Sequence, residues 1–253
     1  MKPCLIAFGG NLGDTDDILK RSQEELTRRG IQILESSDCL RTTPVGENAG
    51  GVFVNAAARA VTDFNPHQTL RILHEVEALF GRTREIHWGP RSLDLDLILF
   101  DQTQLEEPQI RVPHPAMWYR RFVLQPAQQV AGDMFHPGFA RTVCELLERM
   151  DRRPLVMEYE AAAIEPDLME AIVRELPSIH PSAAGIKFRL SSGGAESDCG
   201  NSDEVFATFV CGDRSRDRLC LRGEQRFEFV ISSTETDDAK RRVILDFVLA
   251  VLG

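Results

Sequence analysis

The sequence predicts an α+β protein in two units: a mixed sandwich over residues 1–150 and a second, smaller α+β unit over residues 155–253. Three observations carry this. Strand-like and helix-like stretches alternate through the first 150 residues, the order that builds layered architectures. The composition breaks at Asp151-Arg152-Arg153-Pro154, a charged, proline-ended run that reads as a linker. The chain has 253 residues, 43% hydrophobic and 27% charged, which is enough length and apolar content to bury a sizeable core.

Residues 5–8 form a short apolar strand that runs into Gly9-Gly10. Asp14 is placed as a helix N-cap, with Asp16 and Asp17 in the first turn, where the helix dipole favours acids. Ile18, Leu19, Ser22 and Leu26 share one face, and Gly30 ends the helix. Strands follow at 31–34 and 52–61, the latter rich in small and β-branched residues. Asn65 caps the next helix with Pro66 at its first position. Leu70, Leu73, Val76 and Phe80 make its apolar stripe, and Gly81 stops it. Residues 93–100 read as a strand, and 135–150 end in an amphipathic helix. Past the linker, 166–176 reads as a helix. Residues 186–190, 205–210 and 226–232 alternate like strands, around a Ser/Gly/Asn/Asp-rich loop at 191–203. Residues 237–252 close the chain as a helix with Val243, Ile244, Phe247, Val248 and Val251 inward.

The formal net charge is −10 and both halves are acidic, which argues against a basic nucleic-acid module. No apolar run approaches the roughly 18 residues of a membrane span. The first apolar stretch is too short for a secretory signal. A cytoplasmic protein is expected. Cys4, Cys39 and Cys144 lie among apolar residues and read as small buried thiols of a reducing compartment. Cys199, Cys211 and Cys220 have no metal-site spacing.

The chemistry centres on Leu93-Asp94-Leu95-Asp96-Leu97. In a strand, Asp94 and Asp96 point to one face with Cα atoms about 6.5–7 Å apart, so their carboxylates can share or divide Mg²⁺ ions. A bare Asp-x-Asp is more often two solvated acids. The flank weighs against that here: Arg82, Arg84 and Arg91 surround Trp88-Gly89-Pro90. Three arginines on a Gly/Pro loop suit a phosphate clamp, because guanidinium binds phosphate oxygens bidentately. Trp88 is a hydrophobic lid or a packed anchor, with equal weight. Gly9-Gly10-Asn11-Leu12-Gly13-Asp14 lacks the lysine and spacing of a P-loop and reads as a tight turn supporting the site. Val112-Pro113-His114-Pro115, followed by Arg120-Arg121-Phe122, forms a third cluster.

Taken with Arg41-Thr42-Thr43-Pro44-Val45-Gly46, Phe53-Val54-Asn55-Ala56-Ala57 and Gly81-Arg82-Thr83-Arg84, these motifs closely resemble the 6-hydroxymethyl-7,8-dihydropterin pyrophosphokinases, in order and spacing, over residues 4–150. The resemblance implies a ferredoxin-like α/β sandwich. It also implies transfer of pyrophosphate from ATP to 6-hydroxymethyl-7,8-dihydropterin in folate biosynthesis, with AMP as the other product. By that resemblance Asp94 and Asp96 hold two Mg²⁺ ions. Arg82 and Arg91 clamp the phosphates and stabilise the transition state, and Arg84 sits on a mobile loop beside Trp88. His114 and Arg120 meet the triphosphate, while Leu70, His74, Leu97, Ile110 and Arg111 lie near adenine. Phe53 and Phe122 sandwich the pterin, and Asn55, Thr42 and Val45 read its edge. Four features depart from the family pattern: Gly10 for Ser or Ala, Pro115 for Tyr, Arg121 for Gly, and a loop between Arg84 and Trp88 shorter by one residue.

The alternative is a pterin- or nucleotide-binding protein without turnover that acts through residues 155–253. For that second unit the expectation is a homodimer contact or a protein partner, with no nucleic acid and no membrane.

Overall fold

The computed structural model describes residues 1–42, 51–81, 91–191, 205–212, 228–232 and 234–253. Compact units form over Met1–Leu147 with Gly253, and over Glu148–Leu252.

In the first unit, β1 (Lys2–Gly10), α1 (Thr15–Arg28), β2 (Ile31–Ser36), β3 (Leu40–Thr42), β4 (Phe53–Thr62), α2 (Pro66–Leu79) and β5 (Asp94–Phe100) follow in order. The sheet runs β2-β4-β1-β5, antiparallel throughout, and β3 also pairs with β4. The anticipated helix ends are present. Asp14 accepts the Asp17 amide. Asn65 and Gln68 form a reciprocal capping box. Gly30 and Gly81 hold φ of +89° and +83°, where a Cβ would be strained. On one sheet face, Ile6, Phe8, Val54, Ala56, Leu95 and Leu97 pack with Leu19 and Leu26 of α1 and Ile72, Leu73 and Val76 of α2. The other face carries Leu5, Ala7, Ala57 and Leu99, all buried.

A hairpin of β6 (Leu105–Glu107) and β7 (Ile110–Val112) follows, then a 3-10 turn at Met117–Tyr119 and α3 (Arg121–Ala131). The sequence reading placed no helix at α3. Pro126 lies inside it and removes one backbone donor, the usual sign of a break. Apolar burial of Val123, Leu124, Ala127, Val130 and Ala131 overrides that loss. Arg59 of β4 pairs with both oxygens of Asp133 just beyond α3, at 2.7 and 3.2 Å. The pair β8 (Phe135–His136) and β9 (Arg141–Thr142) leads into α4 (Val143–Asp151).

The second unit contains β10 (Leu155–Tyr159), α5 (Pro166–Ile179), a 3-10 turn at Pro181–Gly185, β11 (Ile186–Leu190), β12 (Val205–Gly212), β13 (Glu228–Ser232) and α6 (Asp237–Leu252). Its strands run β11-β10-β12-β13, and each pairing is parallel. That corrects the α+β expectation for residues 155–253, because a parallel sheet with helices is α/β in class. Side-chain alternation marks a strand but carries no information on the direction of its neighbour. Phe209 and Phe247 meet edge to face at 5.3 Å, and Phe229 joins Phe247 at 4.8 Å.

No described helix is long and apolar enough to cross a membrane. Cys4 is buried as expected, and burial pushes its thiol up to about 12. Cys39 is exposed and Cys144 is half-buried, which corrects their reading as buried thiols. Cys199 and Cys220 lie outside the described residues.

Candidate active site

Strand register builds the site. Gly9 of β1 lies opposite Asn55 of β4 and Asp94 of β5, and Ala7 lies opposite Asp96. Directly paired residues share a sheet face, and residues two apart return to it. Phe53, Asn55, Gly9, Asp94 and Asp96 therefore lie on the face turned away from α1 and α2. Gly9 leaves a gap in that row. A methyl there would come within 3.7 Å of Asn55 Oδ1 and 3.9 Å of the Asp94 Cβ.

Asn55 is buried, and its Nδ2 donates to Thr42 Oγ1 at 3.0 Å. Thr42 lies opposite Phe53 in the β3–β4 ladder. Phe122 is the second residue of α3, with the Arg120 guanidinium 5.8 Å from its ring centre. His114 donates its backbone amide to Ile98 and accepts the Ala116 amide on Nδ1, which leaves Nε2 to carry the proton of the neutral ring. Burial pulls the His114 imidazole down to about 4. The Asp96 carboxylate opposes that pull, and Arg120 and Arg111 add to it. Asp96, Arg120 and Arg111 thus all act on the His114 ring.

Arg91 Nη1 donates to Asp94 Oδ2 at 2.8 Å. Its Nε is buried with no partner among the described residues, so it is a donor that an anionic ligand would satisfy. The Arg91 backbone is held from both sides: its N–H donates to Asn11 Oδ1, and its C=O accepts the Asn11 N–H, both at 2.9 Å. That is the supporting role expected of the glycine turn. Ser92 Oγ donates to the Phe80 carbonyl at the end of α2.

Leu70 packs against the apolar cluster that contains Leu97 and Ile110. His74 is exposed one turn further along α2, and Arg111 is half-buried on β7. Val45, Arg82, Arg84 and Trp88 lie outside the described residues. Among the described residues no group of three or more His, Cys, Asp or Glu side chains gathers as a metal cage, so the acidic pair stands as two carboxylates.

Sequence reasoning missed Glu77. It lies on the buried stripe of α2 and accepts the Leu95 amide on Oε1 at 2.7 Å. The available signal was an acid one position after Val76 and four after Leu73, on the helix face the apolar residues define.

Gly10 has a steric reason. A Cβ there would sit 2.5 Å from the Ser92 carbonyl oxygen and 3.0 Å from Thr15 Cγ2. Gly10→Ala should therefore displace the 91–94 backbone. The expected outcome is about 1–3 kcal/mol of lost stability, typical of overpacking, with a drop in turnover. Thermal unfolding and kcat check this, and unchanged values for both would contradict it.

Comparisons with known proteins follow the same segments. The family model for 7,8-dihydro-6-hydroxymethylpterin-pyrophosphokinase (HPPK) matches residues 5–132. The 2-amino-4-hydroxy-6-hydroxymethyldihydropteridine pyrophosphokinase of Bacillus subtilis is 37% identical over 126 residues, covering 49% of this chain and 75% of that protein. Its namesake in Methylorubrum extorquens is 34% identical over 152 residues, covering 60% of this chain and 95% of that one. A solved HPPK-DHPS in complex with substrates overlaps with a TM-score of 0.44 at 11% identity. The overlap covers 79% of this chain and 59% of that one, so this chain spans less than two thirds of it.

Proposed function

This chain belongs to the 7,8-dihydro-6-hydroxymethylpterin-pyrophosphokinase family, and we propose that its sheet face around Gly9 is where ATP gives pyrophosphate to 6-hydroxymethyl-7,8-dihydropterin, leaving AMP and the pterin diphosphate in folate biosynthesis. The observation that carries this placement is the register row Asn55–Gly9–Asp94. It sets the Asn55 amide and the Asp94 carboxylate on one face, on either side of a residue with no side chain, which supports giving the pterin to the first and the phosphates to the second.

Phe53 and Phe122 stack the pterin, while Asn55, Thr42 and Val45 read its edge. Arg91, with Arg82, Arg84, His114 and Arg120, holds the triphosphate. Leu70, His74, Leu97, Ile110, Arg111 and Trp88 surround the nucleotide. Asp94 and Asp96 fit Mg²⁺, since they offer hard oxygen donors on one face beside a residue with no side chain. They would hold two ions, which supply charge neutralisation across the phosphates. With His114 pulled down to about 4, its neutral ring is a hydrogen-bond donor near neutral pH. The residues thus act by positioning and electrostatics.

The β1-α1-β2-β4-α2-β5 order supports a ferredoxin-like reading of residues 1–150. Residues 155–253 form a separate domain, for a homodimer contact or a protein partner, in a cytoplasmic protein. The test is AMP release. The full chain with ATP, Mg²⁺ and hydroxymethyl dihydropterin should form AMP and pterin diphosphate in equal amounts. Absence of AMP, or ADP in its place, would sink the proposal.

A further inference from the structure

Glu77 is 1% exposed, on the inward stripe of α2 with Thr69, Ile72, Leu73 and Val76. Burying a carboxylate is unfavourable unless it is well bonded, and an apolar side chain would serve the helix's packing better. The structure shows what the acid does there. Its Oε1 takes the amide of Leu95, the one residue between Asp94 and Asp96. β5 pairs with β1 on one side only in the described sheet, so an amide that points to its other side has no strand to bond, and Glu77 accepts it instead. The Leu95 amide belongs to the planar peptide that joins the Asp94 and Leu95 Cα atoms, so holding it restrains the backbone between the two acids. Asn11 grips the backbone four residues earlier, at Arg91, through two hydrogen bonds. The backbone is therefore held just before the acidic pair, at Arg91, and again between its two members, at Leu95.

We propose that Glu77 is a positioning residue for the reaction: through the Leu95 amide it sets the spacing and aim of the Asp94 and Asp96 carboxylates as ligands for divalent cations. The inference rests on the metal-holding reading above. It separates from a role in stability alone, because a mere edge cap would leave cation affinity unchanged in any variant that still folds.

The test uses the full chain, Mn²⁺ as the spectroscopic substitute for Mg²⁺, and α,β-methylene-ATP as an unreactive nucleotide. Mn²⁺ binding is read by electron paramagnetic resonance, alongside kcat and the KM for the pterin. Glu77→Leu should weaken Mn²⁺ binding about 10-fold or more and lower kcat to a similar degree, as losses of outer partners to metal ligands do. The pterin KM should change less than about 2-fold, since Phe53 and Asn55 lie on β4. Glu77→Gln should recover Mn²⁺ affinity to within about 3-fold of the wild type, because its amide oxygen can accept the same N–H. Should Glu77→Leu not fold, Glu77→Asp serves instead. It keeps the acid but withdraws its oxygens by one bond length, and it should also weaken Mn²⁺ binding.

Wild-type Mn²⁺ affinity in a folded Glu77→Leu or Glu77→Asp variant would overturn the inference. So would a Glu77→Gln variant as weak as Glu77→Leu, which would put the effect on charge instead of the hydrogen bond. Failure of the wild type itself to bind Mn²⁺ with the nucleotide would overturn the two-metal reading, and this inference with it.

Discussion

Asp96→Asn should lower kcat by about 10³-fold or more, equivalent to about 4 kcal/mol in the activation barrier. The melting temperature should stay near that of the wild type. The substitution keeps the size of a half-buried side chain and leaves the strand's pairing to Ala7 in place. It removes the formal charge and one hard donor from the candidate cation pair. Asp94 is a less clean target, because its carboxylate also bonds Arg91, and removing it would leave a partly buried guanidinium without that partner. A second readout needs no turnover. The Asp96 carboxylate raises the His114 pKa against burial, so in Asp96→Asn the His114 ring proton resonances should titrate at still lower pH. Near-normal kcat in the variant would contradict the metal role. An unmoved His114 titration would contradict the electrostatic contact between the two residues.

How much of this was legible depends on whether the signal was local. Period-two alternation was enough to set Asp94 and Asp96 on one face, and β5 places them there. The capping box at Asn65 and the turn at Gly30 are contained in a few consecutive residues and were readable. Helix α3 was hidden by Pro126, since a local rule was overridden by burial against the sheet. The strand β10, Leu155–Tyr159, was hidden by brevity and by its place next to a linker-like run. The parallel pairing of the second unit was not readable from side-chain alternation, because it depends on partners about 20 to 50 residues away. The same division holds within the site. The carboxylates announce themselves by spacing. The gap at Gly9 exists only because Asn55 and Asp94 arrive on either side of it, and Glu77 acquires a task only when α2 lies along the edge of β5.

Stability should fall steeply in mild acid through His136, which is 2% exposed. Its Nδ1 accepts the Phe139 amide at 3.2 Å, and the two rings lie tilted by 34° with centres 4.5 Å apart. The ring is therefore neutral in the fold. Its buried Nε2 carries the one ring proton and has no partner among the described residues, and a second proton would have to sit on Nδ1, against the Phe139 N–H. Burial lowers its pKa from 6.5 to about 4, against a smaller opposing effect of the backbone. The folded pKa lies below the unfolded one, so the contribution is fully present above about pH 6.5. It is lost as pH falls toward 4, because the unfolded chain takes up the proton first. Between pH 7 and pH 5 this one group should remove about 2 kcal/mol. His114 is depressed in the same direction, so the wild-type slope contains both, and the comparison must be between variants. His136→Asn places Oδ1 near the position of Nδ1, keeps an acceptor for the Phe139 amide and abolishes the titration. Urea unfolding at pH 7 and pH 5 should show a smaller loss in this variant by about 2 kcal/mol. Equal losses in the two proteins would mean that His136 is protonated in the fold or that its pocket opens to water. Either result would contradict the neutral, dry ring on which the argument depends.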